Sequence, residues 1–227
     1  MPIFEISGIE LTYEEHGQGT EAVVFAHDGG AFDPDWWHGH HDFTGTYRCV
    51  AVAGAVSTIG DIDTVQLAEA LTILLNQLGI DTAHVVCHLG GCRISLALAI
   101  FHPERVSSLA IIDAAVGVGE PGMLSVLRRH RTHHETIAPS KVQASSRAKG
   151  SGCPVMLCLA SADPTVAAVC ERHIRALLPN APSIDMVVTH ASQSDHRKAR
   201  EHVVRHVGKH STKPTPPRAL PRPRTRY

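Results

Sequence analysis

The stretch from Ala83 to Ile112 constrains the fold of this chain more than any other. Val85 belongs to a short apolar run that stops at a turn with two glycines, as the end of a buried strand does. The next segment, Ile94–Phe101, is apolar nearly all round, which is typical of a helix packed between a sheet and its neighbours. Pro103 ends that helix, and Val106–Ile112 is a second apolar run without charge. Strand, tight turn, helix and strand make a βαβ unit, so we predict a parallel sheet.

The same stretch resembles the nucleophile-elbow region of the α/β-hydrolases. The resemblance rests on the strand–turn–helix pattern and on the sequences H-P-E-R-V (102–106) and L-A-I-I-D (109–113) that follow it. The family motif is G-x-S-x-G, with the serine on the turn. Aligned without gaps back from His102, the five motif positions are Cys87, His88, Leu89, Gly90 and Gly91.

Leu89 therefore stands at the nucleophile position. Its side chain has no lone pair and no acidic proton, so it cannot attack a carbonyl. An alignment with a one-residue deletion removes the serine as well. Cys92 is an alternative nucleophile near the start of the helix, where the dipole lowers a thiol pKa. One helical turn moves its side chain about 5 Å along the axis, towards burial, and Ser95 lies deeper still.

The rest of the chain predicts an α/β fold: a mostly parallel twisted sheet flanked by helices, with an N-terminal antiparallel hairpin and a short cap. Phe4–Tyr13 alternates apolar and polar residues, as a hairpin with one wet face does. Thr64–Leu78 is amphipathic and is closed by Gly79. The predicted strands are Ala22–Ala26, Tyr47–Ala53, Cys153–Asp163 and Ile184–His190, and the further helices are Val166–Leu178 and Lys198–Val207.

Length and charge predict one domain with a basic tail. The 227 residues suffice for a single α/β-hydrolase-like domain over 1–207, with a short cap insertion at about 117–150 that contains a helix near Met123–Glu135. Residues 208–227 contain six Lys or Arg, five prolines and no acid, so we expect a disordered tail. The remainder has 15 basic and 22 acidic residues. The tail lacks interleaved aromatic residues, so a nucleic-acid partner is not expected.

The resemblance implies an oxyanion-region loop at His27, Asp28, Gly29 and Gly30, where backbone N–H groups face developing negative charge. Asp28 stands where the family usually has glycine, and a carboxylate there repels an oxyanion unless it points away. His88 and Gly90 complete this predicted substrate region. After Ala53 the family usually has D-x-x-G-x-G-x-S, whereas this chain has G-A-V-S-T-I-G-D.

The resemblance also implies an acid and a base. Asp163 follows a predicted strand where the family often has its acid, and His190 follows the last strand where the family has its catalytic histidine. A histidine whose Nδ1–H is held by a carboxylate is oriented and made more basic. His88 and His196 compete for the role of base, and Asp113 competes for the role of acid.

Histidine clusters raise the question of a metal site. His38, His40 and His41 lie in a segment that also contains both tryptophans, and Asp42 follows them. A surface loop is the simpler interpretation, because the sequence fixes no other ligand. His130, His133 and His134 share a helical face, but neighbouring arginines oppose a cation. We therefore predict no metal and no cofactor.

Composition predicts a cytoplasmic protein. The chain is 43% hydrophobic and 19% charged, it has no apolar run long enough to cross a bilayer, and its N-terminus lacks the pattern of a signal peptide. Its six cysteines show no C-x-x-C spacing, so we expect buried, reduced thiols. The expected partner is a small-molecule ligand or substrate. The oligomeric state is left open, with a homodimer as one option.

Three functions remain open on the sequence. The first is a non-covalent enzyme on this fold, a hydrolase, lyase or cyclase with His190 as base and Asp163 as its orienting acid. The second is a catalytically inactive, hydrolase-like small-molecule binder, which Asp28 and Leu89 favour. The third is a metal-dependent activity of the loop with His38, His40 and His41.

Overall fold

An eight-stranded sheet forms the centre of the part of the chain that the structure describes. The computed structural model describes residues 2–27, 41–57, 64–88, 91–112, 152–159, 164–188 and 193–212. The strands are β1 (Ile3–Ile6), β2 (Ile9–His16), β3 (Ala22–His27), β4 (Arg48–Ser57), β5 (Ala83–His88), β6 (Val106–Ile112), β7 (Val155–Leu159) and β8 (Ile184–Val188).

The strand order is β1-β2-β4-β3-β5-β6-β7-β8. The first three strands in this order pair antiparallel, and every pair from β4–β3 to β7–β8 is parallel. The predicted fold class is confirmed: a mostly parallel sheet with an N-terminal antiparallel hairpin. Right-handed crossover connections between parallel strands bring helices onto both faces of such a sheet.

Four α-helices flank the sheet within the described residues: α1 (Thr64–Gln77), α2 (Cys92–Phe101), α3 (Pro164–Leu177) and α4 (Gln193–His210). One core cluster joins α1, α2 and α3 to residues such as Val85 and Leu109 on one face of the sheet. The second cluster joins α4 to residues such as Val86 and Ala110 on the opposite face. Because side chains alternate along a strand, neighbouring residues of β5 enter different clusters.

Two arginines form hydrogen bonds to backbone carbonyls of the short segment after α1. Gly79 has a φ of +67°, a left-handed conformation that suits glycine at a helix end. Arg48 donates a 2.6 Å hydrogen bond to the carbonyl oxygen of Leu78, and Arg105 donates one of 2.6 Å to that of Ile80. The charged donors thereby satisfy carbonyls that the helix leaves without an intrahelical partner.

Strand β4 is longer than predicted. The sequence predicts Tyr47–Ala53, whereas the strand runs from Arg48 to Ser57. Its second half continues antiparallel to β2, with Ile9 opposite Ser57, and the register between the two strands shifts by one residue between Leu11 and Thr12. The segment after Ala53, whose sequence departs from the family loop, is therefore partly strand. Its backbone pairs with β2, and a local sequence pattern does not show such a pairing.

Helix α4 also extends beyond its predicted end. It continues through His210, and the backbone N–H of Thr212 donates a 2.8 Å hydrogen bond to Glu21. Ser211 also donates its hydroxyl hydrogen to Glu21. The predicted start of the tail at residue 208 thus lies within a helix whose end contacts the sheet. The predicted cap at 117–150 and residues 213–227 lie outside the described residues.

All six cysteines lie among the described residues, where each is buried and none forms a disulfide bond. This agrees with the expectation of buried thiols. No helix in the described part of the chain is both long and apolar enough to cross a membrane.

Candidate functional site

The parallel strands end at one common edge of the sheet, which we call the carboxyl edge. The register places Ala26 opposite Cys87, His88 opposite Ile112, and Leu159 opposite Val188. The chain therefore leaves β3, β5, β6, β7 and β8 at the same side of the molecule. Open α/β sheets bind their ligands in the crevice outside such strand ends.

Most of the predicted site residues follow one of these strand ends in the sequence. Asp28, Gly29 and Gly30 follow β3; Leu89 and Gly90 follow β5; Asp113 follows β6; Asp163 comes after β7; and His190 comes after β8. All of them lie outside the described residues. Their roles stay predictions, supported by the strand order but not by a measured distance.

His88 belongs to the predicted substrate region, and the structure describes its side chain. It is the last residue of β5 and is 4% exposed. It shares a strand face with Val86, which packs in the cluster under α4. His27 ends β3, and its backbone pairs with Ala53. His88 is thus a buried side chain directly before Leu89 in the sequence.

Cys92, the alternative nucleophile, is the first residue of α2 and is fully buried. It packs in the same core cluster as Cys87, on the face of the sheet that α1 and α2 cover. Ser95 is also buried, and its hydroxyl donates a 3.1 Å hydrogen bond to the carbonyl oxygen of Gly91. A buried thiol has no open path to a substrate, so its position argues against Cys92 as a nucleophile.

The other cysteines are also poor candidates for thiolate chemistry. Burial raises the pKa of Cys49 to about 12 and that of Cys153 to about 11. Burial likewise raises the pKa of Cys170. A thiol with a raised pKa stays protonated at neutral pH, and the thiolate is the reactive form. These residues contribute packing.

The start of α2 lies near the carboxyl edge of the sheet. Its N-cap residue is Gly91, which makes no side-chain capping hydrogen bond. The first backbone N–H groups of a helix have no intrahelical partner and carry partial positive charge. An anion, or a carbonyl oxygen that gains negative charge, is therefore favoured near this helix end.

The predicted metal loop is only partly described. His41 and Asp42 belong to a short helical turn with exposed side chains, whereas His38 and His40 lie outside the described residues. The ring of His41 lies 6.3 Å from the ring of His16. The described ranges hold no group of three or more His, Cys, Asp or Glu residues arranged to bind a metal ion. Several other predictions lie outside the described residues. They are the cap histidines 130, 133 and 134, the helix near 123–135, and the side chain of His196.

Sequence reasoning missed a second histidine on β5. His84 lies at the start of the strand, is 2% exposed, and its Nδ1 shares a 2.8 Å hydrogen bond with Ser108 Oγ. His84 and His88 occupy the same face at opposite ends of the strand. The signal available in the sequence was their even spacing within a segment that is otherwise apolar.

Comparisons with known proteins agree with this architecture. A dihydrolipoyllysine-residue acetyltransferase component of the acetoin cleaving system from Cupriavidus necator is 28% identical over 121 residues, which is 51% of this chain and 32% of that protein. A 2-hydroxy-6-oxononadienedioate/2-hydroxy-6-oxononatrienedioate hydrolase from Burkholderia vietnamiensis is 27% identical over 120 residues, 48% of this chain and 41% of that protein. The chain thus spans well under half of the length of these curated relatives. No protein-family model matches it.

A solved structure covers far more of the chain. A carboxylesterase from the thaumarchaeon Nitrososphaera gargenis superposes with a TM-score of 0.62 at 17% sequence identity, covering 92% of this chain and 99% of the other. Together with the strand order, the antiparallel N-terminal hairpin and the helices on both faces, this likeness gives the conclusion of the comparison: the chain has the α/β-hydrolase fold.

Proposed function

We propose that this chain is a hydrolase-like protein of small-molecule metabolism that activates water without a covalent intermediate. His190 is the general base, and Asp163 orients it. The substrate is a small molecule with an electrophilic carbonyl, such as an ester or a lactone. The named hydrolase among the relatives supports the reaction class.

The order of the last strands is the observation that carries this proposal. β7 and β8 are hydrogen-bonded neighbours, so their ends lie about 4.8 Å apart. Asp163 follows β7 and His190 follows β8. β6 is separated from β8 by β7, so the end before Asp113 lies roughly 10 Å from β8. The strand order therefore favours Asp163 over Asp113 as the partner of His190.

Water is the nucleophile because neither side-chain candidate suits the role. Leu89 replaces the serine at the elbow, and a leucine side chain cannot form an acyl-enzyme. Cys92 is enclosed in the core. A histidine held by a carboxylate can take a proton from water at Nε2 while the water oxygen attacks the carbonyl carbon.

Backbone amides near Gly29, Gly30 and Gly90 are the proposed groups that stabilise the resulting oxyanion. The start of α2 supports this role, because the N–H groups of a helix N-terminus favour negative charge at the same edge of the sheet. Asp28 acts against it when its carboxylate faces the oxyanion. Neutralising this residue in Asp28→Asn is therefore expected to raise turnover.

A catalytically inactive small-molecule binder is the second candidate. Leu89 and Asp28 favour it, because the first removes the nucleophile and the second places a negative charge where a hydrolase holds an anion. The two candidates differ in turnover, so a kinetic experiment separates them.

The deciding experiment compares turnover by wild type and His190→Ala on a panel of activated esters and lactones. We expect kcat/KM to fall about 10²- to 10⁴-fold in the variant, the usual contribution of general acid–base catalysis. His202→Ala is the matched control, because this histidine lies on α4 and contacts exposed Arg205. The control is expected to keep wild-type turnover.

A fluorophosphonate probe for reactive serines is run on the same samples. We expect no labelling of wild type. Equal, near-background rates in wild type and His190→Ala would reject the enzyme, and saturable ligand binding in that case would favour the binder. Labelling of a serine in wild type would show that the alignment at Leu89 is wrong.

A further inference from the structure

The opposite edge of the sheet, where the parallel strands begin, contains a partly buried cluster that the proposed function does not use. We call it the amino-edge cluster and define it as Glu21, Tyr47, His84, His206 and His210. Three of its members precede or open strands β3, β4 and β5, and two lie in the last turns of α4. It therefore joins the end of α4 to the sheet.

The ring contacts show how closely the cluster packs. Tyr47 and His84 make an edge-on contact with ring centroids 6.1 Å apart. His206 and His210 are one helical turn apart, with centroids separated by 4.9 Å. His206 is 5% exposed and His84 is 2% exposed. Both histidine rings at the core of this contact are thus removed from water.

Hydrogen bonds continue the contact beyond the helix. Glu21 accepts a 2.8 Å hydrogen bond from the backbone N–H of Thr212 and further bonds from the hydroxyls of Ser211 and Thr212. Tyr47 also shares a hydrogen bond with Ser211. One carboxylate before β3 therefore holds the two residues that follow α4.

Two imidazole nitrogens of the cluster have no hydrogen-bond partner within the described residues. Nε2 of His206 and Nε2 of His210 are buried, and neither has a hydrogen-bond partner among the described residues. A buried polar atom without a partner costs free energy, and an added charge there costs more. The arrangement tolerates neutral rings and penalises protonated ones.

A metal site does not account for the cluster. Within the described ranges, no three His, Cys, Asp or Glu side chains are arranged to hold a metal ion. His84 already uses Nδ1 in its bond to Ser108. The shared property of the three histidines is instead that each can gain a positive charge once it is released into water, where its pKa is near 6.5.

We propose that the segment from His206 to Thr212 is an acid-released latch: proton uptake by His84, His206 and His210 frees the end of α4 from the amino edge of the sheet while the sheet itself stays folded. The latch is closed at neutral pH. Its release exposes the apolar surface that Val207 covers in the cluster beneath α4.

The charges around the three rings set the direction of the effect. Burial lowers the pKa of all three histidines, and that of His206 to about 4. Glu21 opposes the shift at His84, and Asp185 opposes it at His206 and His210. Lys209 lowers the pKa of both helix histidines further, His210 lowers the pKa of His84 and His206, and His84 lowers that of His206.

The sign follows from linkage. A histidine with a lowered pKa in the closed state binds its proton more readily once released, where its pKa is near 6.5. The closed state is therefore most favoured above pH 6.5 and loses stability as the pH falls towards 4. Each such histidine changes the opening equilibrium by up to about tenfold per pH unit in this window.

Glu21 adds a second, more acidic step. Burial raises its pKa, but the hydrogen bonds from Ser211 and Thr212 outweigh burial, so the pKa of the carboxyl lies below its ordinary value of 4.5. Its contribution is present above pH 4.5 and is lost as the pH falls below that value. The histidines therefore open the latch first.

The test is hydrogen–deuterium exchange of the full chain between pH 7.5 and 5.0, corrected for intrinsic exchange rates. We expect protection of residues 203–212 to fall at least about tenfold per pH unit below pH 6.5. Protection of β5 at residues 83–88 is expected to stay constant and serves as the internal reference. Equal loss in both segments, or no loss in either, overturns the latch.

His206→Met replaces the imidazole with an apolar side chain of similar size and thereby removes one titrating group. In this variant we expect the exchange protection of residues 203–212 to depend less steeply on pH than in wild type, by up to about tenfold per pH unit. His202→Gln removes a histidine from the same helix outside the cluster and is expected to keep the wild-type slope. An unchanged slope in His206→Met contradicts the proposal, as does a slope that disappears in wild type when EDTA is added.

Histidine ring signals in the wild-type NMR spectrum keep the proposal testable if His206→Met does not fold. We expect His206 to titrate below its ordinary pKa, together with the exchange change in residues 203–212. Titration of His206 at or above pH 6.5 while that segment stays protected overturns the latch.

Discussion

The two edges of the sheet differ in how their polar groups are supplied. At the carboxyl edge, the predicted acid, base and anion-binding residues each come within about four residues after a strand end in the sequence. At the amino edge, Glu21 and His84 near the strand starts meet His206 and His210 from a helix far along the chain. At the carboxyl edge the candidate residues come shortly after strand ends in the sequence. At the amino edge the polar groups meet through a contact between segments that are far apart in the sequence.

This difference shows what a sequence pattern can and cannot reveal. Spacing from a strand end is visible in the sequence, so candidate residues at the carboxyl edge can be proposed even when the nucleophile is missing. A contact between Glu21 and Thr212 has no local signature. We therefore expect variants at the carboxyl edge to change activity and variants at the amino edge to change stability and its pH dependence.

The largest stability effect is expected from Gly19→Ala, next to the amino edge. A β-carbon at this position would overlap the carbonyl oxygen of Thr46 and lie 2.5 Å from Cα of Tyr47. Because both obstacles are backbone atoms, the structure must shift, and we expect a loss of about 3 kcal/mol in the free energy of unfolding. Urea denaturation measures it.

Gly208→Ala is the control for that prediction. This glycine lies in α4, and an added β-carbon meets nothing within 4 Å. Alanine in a helix is favoured over glycine by about 0.5–1 kcal/mol, so the control is expected to be stabilised. Similar losses in both variants would mean that the close approach at Gly19 is absent.

A moderate effect is expected from Ser108→Ala. The variant removes the hydroxyl that shares a 2.8 Å hydrogen bond with buried His84. Leaving that ring nitrogen unsatisfied costs about 1–3 kcal/mol. Thermal unfolding at pH 7.5 measures the loss. The neighbouring Ser107→Ala, at a partly exposed position, is expected to change stability by less than about 0.5 kcal/mol.

The smallest effect is expected from Lys209→Gln. Lys209 Nζ lies 3.5 Å from Asp185 Oδ2, and both side chains are largely exposed. Exposed pairs contribute at most about 1 kcal/mol, and we expect less than about 0.5 kcal/mol here. Removing this charge should raise the pKa of His206 and His210 only slightly, because burial is the larger cause of their shift. NMR titration of the ring signals measures that change.

A large rise in the pKa of His206 in Lys209→Gln would contradict this order of causes. It would mean that the surface charge of Lys209, and not burial, sets the pKa of the latch histidines. Repeating the titration at high salt distinguishes the two, since screening weakens an exposed charge and leaves burial unchanged.

Local patterns predicted the regular parts of the fold. The six residues of β5 are all buried, as a central strand covered by helices on both faces of a parallel sheet requires. Gly79 ends α1 with a positive φ, as its place after an amphipathic segment indicates. Both features depend on neighbours in the sequence, so the sequence reveals them.

Pairing between distant segments accounts for the differences. β4 continues to Ser57 because β2 lies beside it, and α4 continues to His210 because the sheet edge accepts its last turn. The buried position of Cys92 likewise depends on how α2 meets the sheet. At the candidate site, Asp163 and His190 were proposed from their place after two strands, and the adjacency of β7 and β8 supports pairing them.

The position of α4 has a consequence for synthesis on the ribosome. This helix covers the face of the sheet that carries Val86, Ala110 and Ile112, yet it is made only after all eight strands. At 5–20 residues per second, the roughly 100 residues between Ile112 and Thr212 take about 5–20 s to add. Among the described helices, α4 is the one that packs on this face, so the emerging chain exposes apolar residues there until α4 arrives and is meanwhile a substrate for chaperones and an aggregation risk.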